Sequence, residues 1–513
     1  MGYLLGALLE GTNIRVSHPE TVIQGIASDS RRVVRGGLFI CHRGLHVDGN
    51  DFIEEAVRRG AVCVITDSDT EPGLREPDPD CEIIRLCGIT SREVESIVWN
   101  NYYHRPTDGM TKIAVTGTAG KTSTVFILRH ILRSAGYHAG IITTVVSLAD
   151  DDEIDMGASG GSSVSDAAGA MTTPDPEYFF GAAAVMRERG CDAIIYEASS
   201  QALDMHRIDA VKPDIAVFTN LSPEHLDHHG DMESYFAAKA RLAGMAHCSI
   251  VNLDDSYMAR LPKLYPDKAF ITCSADHAKI AETDVCAIRY VSHGSDGIEY
   301  VYFSDSAVFR MRTPLLGRHS MYNTMQAAAC ASYMGVDPVS IKDALSGMNG
   351  IGGRLYKVRI PDREKFGFDV FIDYAHTPDS LRTVLITLRE VTERRLILLF
   401  GCGGDRDRLK RPVMGRTASE LSDYVIITND NPRTEAPERI IDDILDGVDK
   451  TKPYIVIPDR RRAIEYAVNL ASVGDLVLLA GKGHEKYEIT ADGKHPFDEE
   501  NIVRELLSDR SKE

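Results

Sequence analysis

The chain has 513 residues and a formal net charge of −19. Such an acidic protein is not a general binder of nucleic acid, and any anionic ligand needs a local cluster of Arg and Lys. The ten cysteines include no C-x-x-C pair, so we expect reduced thiols rather than disulfides or a zinc knuckle. No apolar stretch approaches the ~20 residues that span a bilayer, so we expect no membrane insertion.

The first hundred residues alternate short apolar runs with helical patterns. The runs LFICHRG, AVCVIT and CEIIRL are β-like, and FIEEAVRRG is helical. The opening MGYLLGALLEGT has no basic segment, which predicts a short amphipathic helix rather than a signal peptide. The stretch NYYHRPTDGM (101–110) breaks the alternation and predicts a linker.

A strand, a glycine-rich loop and a helix follow one another from residue 112. They are KIAVT, GTAGKTST and VFILRHILRSAG. Further apolar runs at AGIITTV, DAIIYEA and DIAVFTN are separated by helical stretches, which predicts a parallel sheet with crossover helices. Residues 150–170 are rich in Gly, Ser and Asp, and we expect a mobile surface insertion there.

A second boundary is predicted at NGIGG (349–353). After it, the apolar runs DVFID, RLILLF, DYVIIT, PYIVIP and DLVLLA each end in polar or glycine-rich residues. Ligands bind outside the carboxyl ends of such strands. The sequence therefore predicts an α/β protein with three domains in series: residues 1–106, a central P-loop ATPase-type parallel sheet in 107–350, and a Rossmann-like domain in 351–513.

The loop GTAGKTST predicts a phosphate site, because backbone N–H groups and a helix N-terminus can cradle phosphates there. Lys121 would reach the β- and γ-phosphates, and the Thr122 hydroxyl would bind Mg²⁺. The longer form of this motif requires Gly at the position of Val115, so only the shorter form is present. The alternative is an ordinary glycine-rich turn before a helix.

Two side chains downstream are candidate metal ligands. Glu197 ends the strand in IIYEASS, where a carboxylate beside an ATP loop commonly joins the Mg²⁺ shell. His225 lies in SPEHLDHHG, and taken alone it is typical of an ordinary loop histidine.

Lys239 is predicted to lie on the apolar face of a helix. In the helix predicted over 231–246, the apolar positions are Met232, Tyr235, Phe236 and Leu242. Lys239 follows Tyr235 by four residues, which places both on one face. Burial would depress the lysine pKa and make a nucleophilic amine, one fate of which is carbamylation by CO₂. The alternative is a side chain that snorkels to the surface.

These motifs resemble those of the Mur ligase family of peptidoglycan synthesis. The similarity runs, in family order, through SDSRRVVRGGLFI, TGTAGKTST, EASSQAL, NLSPEHLDHHG, AAKARL, DYAHTPDSL, GCGGDRDRLKRP, DNPRTE and AGKGHE. Folylpolyglutamate synthases share the ATP loop and the fold but not the later motifs. The resemblance implies an amide-forming ligase that uses ATP and Mg²⁺. Its three domains would hold, in order, the uridine diphosphate, ATP and the incoming amino acid. We expect a cytoplasmic monomer.

The resemblance also implies roles for matching residues. Lys121, His225 and Lys239 would be catalytic, and the metal would be held by Thr122, Glu197, His225 and Lys239 as a carbamate. ATP contacts are implied at Gly117, Thr118, Ala119, Gly120, Lys121, Thr122, Ser123, Asn323 and Arg354. Contacts to UDP-N-acetylmuramoyl-L-alanyl-D-glutamate are implied at Ser30, Thr172, Thr173, Ser199 and Arg207. Contacts to meso-diaminopimelate are implied at Arg406, Asp430, Asn431, Pro432, Arg433, Gly481 and Glu485.

Three positions depart from the family pattern. Ala119 replaces an Asn often found in the ATP loop, and little effect is expected because that loop acts through its backbone. Met171 and Met205 stand where some members carry Asn and Gln near the substrate, so those two polar contacts are in doubt in this chain.

The chemistry implied by the resemblance needs strong local positive charge. Amide formation requires activation, here transfer of the γ-phosphoryl group to the D-Glu carboxylate, and then attack by an amine. Lys121, Mg²⁺ and Arg207 would neutralise the charge that develops. The loop GGDRDRLKR adds Arg406, Arg408, Lys410 and Arg411, which reconciles an acidic chain with anionic substrates.

Arg433 bears on the third substrate. A planar guanidinium suits the distal carboxylate of meso-diaminopimelate, and in the family D-N-P-R marks the enzymes that use it. Glu485 would suit the distal ammonium. The structural alternative is a type I turn with Asp or Asn at its start and Pro in it. The functional alternatives are a lysine-adding ligase and, from another class, a nucleotide switch or carbohydrate-binding protein that only binds or hydrolyses ATP.

Overall fold

The computed structural model describes residues 2–44, 47–67, 81–154, 171–305, 307–360 and 363–510. Most of the predicted insertion, from residue 155 to 170, therefore lies outside the described residues. Two compact units are present. The first comprises Met1–Ser274, Glu282–Asp284 and Gln326–Val336, and the second comprises Ala275–Ala281, Val285–Met325 and Asp337–Glu513. The predicted domain boundaries at residues 106 and 350 stay predictions.

The N-terminal part of the first unit contains a small parallel sheet. Its strands, in spatial order, are Ile26–Ala27, Gly37–Ile40, Ala61–Thr66 and Glu82–Arg85. The three apolar runs predicted as strands are thus confirmed. Tyr3–Leu4 pairs antiparallel with Val22–Ile23. The predicted N-terminal helix is one short turn, Leu5–Leu8. The predicted linker begins inside the helix Ser91–Tyr102, whose Thr90 and Glu93 form a capping box.

The larger sheet of the first unit has a parallel centre. Its strands lie in the order Asp152–Glu153, Ser147–Ala149, Ala139–Ile142, Ala193–Glu197, Thr111–Thr116, Ile215–Phe218, Cys248–Asn252 and Ala269–Ser274. The last six are parallel, as predicted. The first two are antiparallel, because Ser147–Glu153 folds into a hairpin that adds to the edge of the predicted parallel sheet.

The second unit contains two large groups of strands. Val285–Ser292, Ile298–Ser304 and Ala307–Thr313 are antiparallel. The other group is a sheet with the order Tyr356–Lys357, Asp369–Asp373, Leu476–Ala480, Leu396–Phe400, Tyr424–Ile427 and Tyr454–Val456, and all but the first strand are parallel. All five apolar runs predicted after residue 353 are strands. Apolar side chains fill both faces of this sheet, as expected for a parallel sheet covered by helices. A hairpin of Tyr487–Thr490 and Gly493–Pro496 follows.

Helices connect these strands. In the first unit they are Leu5–Leu8, Ile53–Arg58, Ser91–Tyr102, Lys121–Ser134, Pro176–Glu188, Ser200–Asp204, Leu226–His229, Met232–Met245 and Leu261–Leu264. In the second they are Pro338–Ser346, Arg363–Phe366, Pro378–Arg389, Lys410–Leu421, Pro437–Leu445, Arg460–Leu470 and Glu499–Arg510. Gly317–Tyr333 contributes residues to both units. The ten cysteines are thiols and form no disulfide, as expected. Among the described residues, no helix is both long and apolar enough to cross a bilayer.

Candidate active site

The predicted phosphate loop joins the strand Thr111–Thr116 to the helix Lys121–Ser134. Gly120 caps that helix with a φ of 87°, and Gly117 has a φ of 146°, so two glycines adopt backbone conformations that side chains disfavour. A Cβ on Gly117 would overlap Thr219 Oγ1. Thr219 itself holds the loop, since its hydroxyl donates to Ala119 O at 2.7 Å. Gly117 is therefore required by the close approach of Thr219, and Gly120 by its positive φ.

We predict that Gly117→Ala weakens ATP binding by about tenfold or more, because overpacking costs about 1–3 kcal/mol and here displaces the loop itself. Gly136→Ala is the matched control: Gly136 also has a positive φ, of 92°, but its Cβ would meet no atom within 4 Å. Calorimetric titration with a non-hydrolysable ATP analogue measures both. Equal affinities in the two variants would contradict the role of the contact with Thr219.

Lys121 folds back over the loop. Its Nζ donates to Gly117 O and to Thr118 O, both at 2.9 Å. A lysine held over the loop in this way is placed to meet a phosphate bound by the same backbone. Asn220, which the sequence reasoning missed, accepts from Ala119 N at 2.9 Å and donates to Ala119 O at 3.0 Å. Nothing in the motif FTNLS marked Asn220 as a residue that supports the phosphate loop, since polar residues follow every strand of this type.

Thr122 and Glu197 are brought together as predicted. Thr122 Oγ1 donates to Glu197 Oε1 at 2.8 Å. Glu197 is 1% exposed and also accepts from the backbone N–H and the hydroxyl of Thr144. Within the described part of the chain, no Lys, Arg or His forms an ion pair with it. A buried carboxylate supported only by neutral donors, beside a threonine hydroxyl, is the oxygen-rich donor set that fits Mg²⁺.

Lys239 lies on the buried face of the helix Met232–Met245, as predicted, and snorkelling is excluded because the residue is 1% exposed. Its Nζ donates to Gly117 O at 3.0 Å and sits 4.7 Å from the centre of the Tyr235 ring. Burial, with a smaller contribution from the nearby positive charge of Lys121, lowers the pKa of Lys239 well below its usual value. The amine is therefore both close to the ATP loop and suited to react as a nucleophile.

His225 lies at the exposed start of a short helix. It caps the short helix Leu226–His229 in a left-handed conformation with a φ of 55°, and its side chain is 46% exposed. Its ring lies edge-on to Tyr235, with ring centres 6.3 Å apart. In the described residues it forms no hydrogen bond to Thr122, Glu197 or Lys239. Its metal-binding role stays a prediction.

Four of the residues implied to contact the nucleotide sugar lie beside Glu197. Thr173 Oγ1 donates to Glu197 O at 2.8 Å and accepts from Ser199 N at 2.9 Å. Arg207 Nη1 donates to Thr173 O at 2.9 Å, and its Nη2 contacts Met205 Sδ at 3.3 Å. Thr172, the fourth, precedes Thr173 and is half-buried. One hydrogen-bonded network thus joins the backbone of Glu197, whose carboxylate is suited to Mg²⁺, to predicted substrate residues.

The remaining residue of that predicted set, Ser30, is buried and donates to Glu55 Oε2 at 2.9 Å. It begins a short 3₁₀ helix, Ser30–Arg32, that is capped by Asp29. Its hydroxyl oxygen is therefore held in place by a neighbouring carboxylate. Contact with a uridine diphosphate stays a prediction.

In the second unit, three strand ends bring the predicted amino-acid pocket together. The strands Leu396–Phe400, Tyr424–Ile427 and Leu476–Ala480 are neighbours, and loops with Gly403, Asn431 and Gly481 follow them. Asp430 and Asn431 are buried, and a Cβ on Gly481 would overlap Asp430 Oδ2. The three loops therefore lie at one edge of the sheet, beyond the carboxyl ends of its strands, where ligands bind in folds of this kind.

Asn431 is fixed by three hydrogen bonds. Its Oδ1 accepts from Lys482 Nζ and from the backbone N of Ile489, each at 2.9 Å. Its Nδ2 therefore faces Glu485 and donates to Oε2 at 2.7 Å. Lys482 is fully buried, and burial lowers its pKa, while burial raises the pKa of Glu485. Lys482 lies in the quoted motif AGKGHE, but a lysine directly after a buried strand was not recognised as a support for Asn431.

Arg433 sits in a left-handed conformation with a φ of 54°. A turn is closed by Glu435 N donating to Pro432 O at 3.1 Å, so Pro432 starts this turn and Arg433, with its positive φ, is its second residue. Arg433 Nη1 donates to Gly404 O at 2.9 Å. A Cβ on Gly403 would lie 2.9 Å from Arg433 Nη1 and 3.8 Å from Arg406 Cγ. The two predicted clamp residues therefore flank one glycine.

The basic loop GGDRDRLKR is less positive than its sequence indicates. Arg411 is fully buried and donates to Glu435 and Asp443, at 2.7 to 2.8 Å. Arg408 also pairs with Asp443. Lys410 donates to His376 O at 2.9 Å. Arg406 is exposed and forms no hydrogen bond or ion pair with any other described residue, so its guanidinium is available to meet an anion.

We predict that Glu435→Gln destabilises the folded chain by about 3 kcal/mol at neutral pH, because it leaves the buried Arg411 with one carboxylate partner. Hydrogen bonds from Arg411 hold the pKa of Glu435 at about 2, below its usual 4.5. The stability from Glu435 is therefore complete above pH 4.5 and is lost as the pH falls through about 2. Urea unfolding of wild type and variant between these pH values should show the difference shrink.

Glu505→Gln is the control for this prediction. Glu505 pairs with Arg461, and both side chains are more than half exposed, so a change below about 0.5 kcal/mol is expected. A pH-independent gap between wild type and Glu435→Gln would show that the carboxylate charge is not what stabilises Arg411.

Two residues implied in ATP binding belong to the second unit. Asn323 is buried in the helix Gly317–Tyr333. The guanidinium of Arg354 lies over the Tyr374 ring, 5.6 Å from its centre. Both roles stay predictions.

Comparison with known proteins now places the chain in a class. It matches, in order, "Mur ligase family, catalytic domain" over residues 22–96, "Mur ligase middle domain" over 115–331 and "Mur ligase, glutamate ligase domain" over 358–483. The chain belongs to the Mur ligase family, and the resemblance and the α/β fold class are confirmed.

Particular relatives carry a more specific name. The UDP-N-acetylmuramoyl-L-alanyl-D-glutamate–2,6-diaminopimelate ligase of Syntrophomonas wolfei is 37% identical over 497 residues, 96% of each chain. The ligase of the same name from Clostridium perfringens is 34% identical over 507 residues, 98% of this chain and 99% of its own.

Solved structures agree with this placement. A UDP-N-acetylmuramoyl-L-alanyl-D-glutamate–2,6-diaminopimelate ligase aligns over 100% of both chains, with a TM-score of 0.68 and 29% identity. MurF ligase from Thermotoga maritima, in complex with ADP, covers 94% of this chain and 98% of its own, with a TM-score of 0.54 and 16% identity. The latter likeness concerns the fold alone.

Proposed function

We propose that this Mur ligase joins meso-diaminopimelate to the D-glutamate of UDP-N-acetylmuramoyl-L-alanyl-D-glutamate, using ATP and Mg²⁺, in peptidoglycan synthesis. The observation that carries the choice of amino acid is the pairing of Arg433 and Arg406 around Gly403, two cations at the strand ends where Glu485 also lies. The names of the relatives support the same choice.

The reaction begins with transfer of the γ-phosphoryl group of ATP to the D-glutamate carboxylate, which forms an acyl phosphate and releases ADP. The amine of meso-diaminopimelate then attacks the acyl carbon, and phosphate leaves as the amide bond forms. Lys121 and the backbone of the phosphate loop hold the phosphates, while Arg207 neutralises negative charge on the substrate. The chain's main contribution is positioning.

Mg²⁺ would be held by Thr122 and Glu197, with His225 and a carbamate on Lys239 completing the set. When bound, it supplies charge neutralisation for the transferring phosphoryl group. The carbamate forms when Lys239 Nζ attacks the carbon of CO₂, making an N–C bond and releasing a proton. The depressed lysine pKa supports this step, because the neutral amine is the reactive form.

Phosphate release with a panel of amino acids tests the proposed function. We expect release only when ATP, the nucleotide-sugar dipeptide and meso-diaminopimelate are all present, with lysine supporting little turnover. Equal turnover with lysine would favour the lysine-adding alternative. Release without any amino acid would favour a nucleotide switch.

We further propose that the chain works as a monomer in the cytoplasm, where ATP is supplied. Sedimentation of the chain with and without substrates tests the monomer, and a concentration-dependent dimer at working concentrations would contradict it.

A further inference from the structure

Two short helices carry a cluster of metal-ligand atoms that the proposed reaction does not use. Ligand atoms of Asp204, His228 and His229 all lie within 4.8 Å of one another. His228 Nε2 is 3.0 Å from Asp204 Oδ2, and His229 Nε2 is 2.9 Å from Ser200 Oγ. Both imidazole nitrogens therefore point at the same helix, Ser200–Asp204.

The donor types select a class of cation. Two imidazoles and a carboxylate suit Zn²⁺ and its first-row neighbours, whereas Mg²⁺ prefers an all-oxygen shell. In a tetrahedral zinc site with bonds of about 2.1 Å, ligand atoms lie roughly 3.4 Å apart. The His228–Asp204 separation of 3.0 Å is slightly shorter than that spacing, and all the ligand atoms lie within 4.8 Å of one another, so small side-chain rotations would close the shell.

We propose that Asp204, His228 and His229 form a binding site for a first-row divalent transition metal such as Zn²⁺, separate from the Mg²⁺ site at Thr122 and Glu197. Ser200 Oγ or a water molecule completes four-coordination. The Asp204 side chain is 52% exposed and that of His228 is 11% exposed, so the site opens to solvent on the carboxylate side. That opening gives the ion an entry path.

A bound ion would join two segments that border the ATP loop. His229 stacks on Tyr235, with ring centres 5.0 Å apart, and the Tyr235 hydroxyl is 3.1 Å from Thr118 Oγ1. The short helix of His228 and His229 begins directly after His225. Occupancy would therefore tie the segment that presents His225 to the helix that begins after Ser199.

A second cluster of similar composition provides an internal control. Glu93, His206 and Asp209 also bring three ligand atoms together. There, Arg241 Nη2 already lies 3.0 Å from His206 Nδ1 and 2.9 Å from Asp209 Oδ2. A guanidinium occupies the place that a metal ion would need, so this second cluster is expected to bind none.

Calorimetric titration of the untagged full chain with Zn²⁺, in excess Mg²⁺, tests the site. We expect one Zn²⁺ per chain. His228→Gln and His229→Gln should each weaken Zn²⁺ binding by at least about tenfold, because even the loss of a residue that only supports a metal ligand lowers affinity by about that factor. His206→Gln and His225→Gln should bind Zn²⁺ as the wild type does. Thermal unfolding without metal checks that every variant folds.

Co²⁺ absorption gives a second readout that does not depend on turnover, and so does not depend on the proposed function. Four-coordinate Co²⁺ with imidazole ligands should give visible bands without a thiolate charge-transfer band, and His228→Gln should remove them. The proposal is overturned if the wild type binds no Zn²⁺, if both variants at residues 228 and 229 bind it normally, or if His225→Gln abolishes binding.

Discussion

Replacing Lys239 by Met should lower kcat by at least about 10²-fold, the size of effect typical of removing one preorganised charge-stabilising group. Methionine keeps the length and packing of the buried side chain but has no amine to accept CO₂. Affinity for ATP should change much less, because Lys121 also donates to Gly117 O and the phosphate loop keeps its backbone. Phosphate-release kinetics and nucleotide titration together measure this split between kcat and binding.

Dependence on CO₂ separates a carbamate from a merely structural lysine. Wild-type enzyme stripped of CO₂ should lose activity and regain it on addition of bicarbonate, whereas Lys239→Met should not respond. Lys263→Met is a control for removal of a lysine, since Lys263 is exposed on a neighbouring helix. Full activity in Lys239→Met would refute a role in holding the metal.

Arg433→Gly should raise the KM for meso-diaminopimelate by about 30-fold or more, because truncating one member of a buried charge pair costs about 2 kcal/mol or more. Glycine is the informative substitution, since it accepts the left-handed φ of 54° without strain while the guanidinium is removed with the rest of the side chain. The KM for ATP should stay within a few-fold. Initial rates with each substrate varied in turn measure both constants.

Two companion variants sharpen the test at Arg433. Arg433→Lys retains the charge but not the planar fork, so it should recover only part of the affinity. Arg408→Ala removes a cation from the neighbouring loop that already pairs with Asp443, and should leave the KM for meso-diaminopimelate unchanged. Equal rises in the KM values for ATP and meso-diaminopimelate in Arg433→Gly would argue against a clamp on the distal carboxylate.

Much of the fold could be predicted because buried strands and helix faces leave apolar runs and apolar spacings in the local sequence. Runs such as DYVIIT became the strand Tyr424–Ile427, and four-residue spacing placed Lys239 beside Tyr235. The edge hairpin Ser147–Glu153 was not predicted, because its short strands lie in a polar segment with no apolar run of their own.

The site was harder to predict because charges meet across long sequence separations. The sequence shows that Arg411 is a cation in a basic loop, but not that Glu435 and Asp443 neutralise it from 24 and 32 residues away. The sign of φ at Arg433 is set by the turn closed on Pro432 rather than by residue type. The predicted strands indicate which loops lie at the same edge of the sheet. Only the three-dimensional contacts show which charged side chains are not already paired within the protein.

The hydrogen bonds around Asn431 also constrain how the selectivity for the amino-acid substrate could be changed. The backbone N of Ile489 and the ammonium of Lys482 lock the orientation of its amide, and neither group is among the residues proposed to touch the amino acid. The amide in turn keeps one oxygen of Glu485 engaged, so the other is the one available for the proposed contact with an incoming ammonium. Redesign of this enzyme for a different amino acid would therefore have to replace a supporting layer behind the pocket along with the residues that line it.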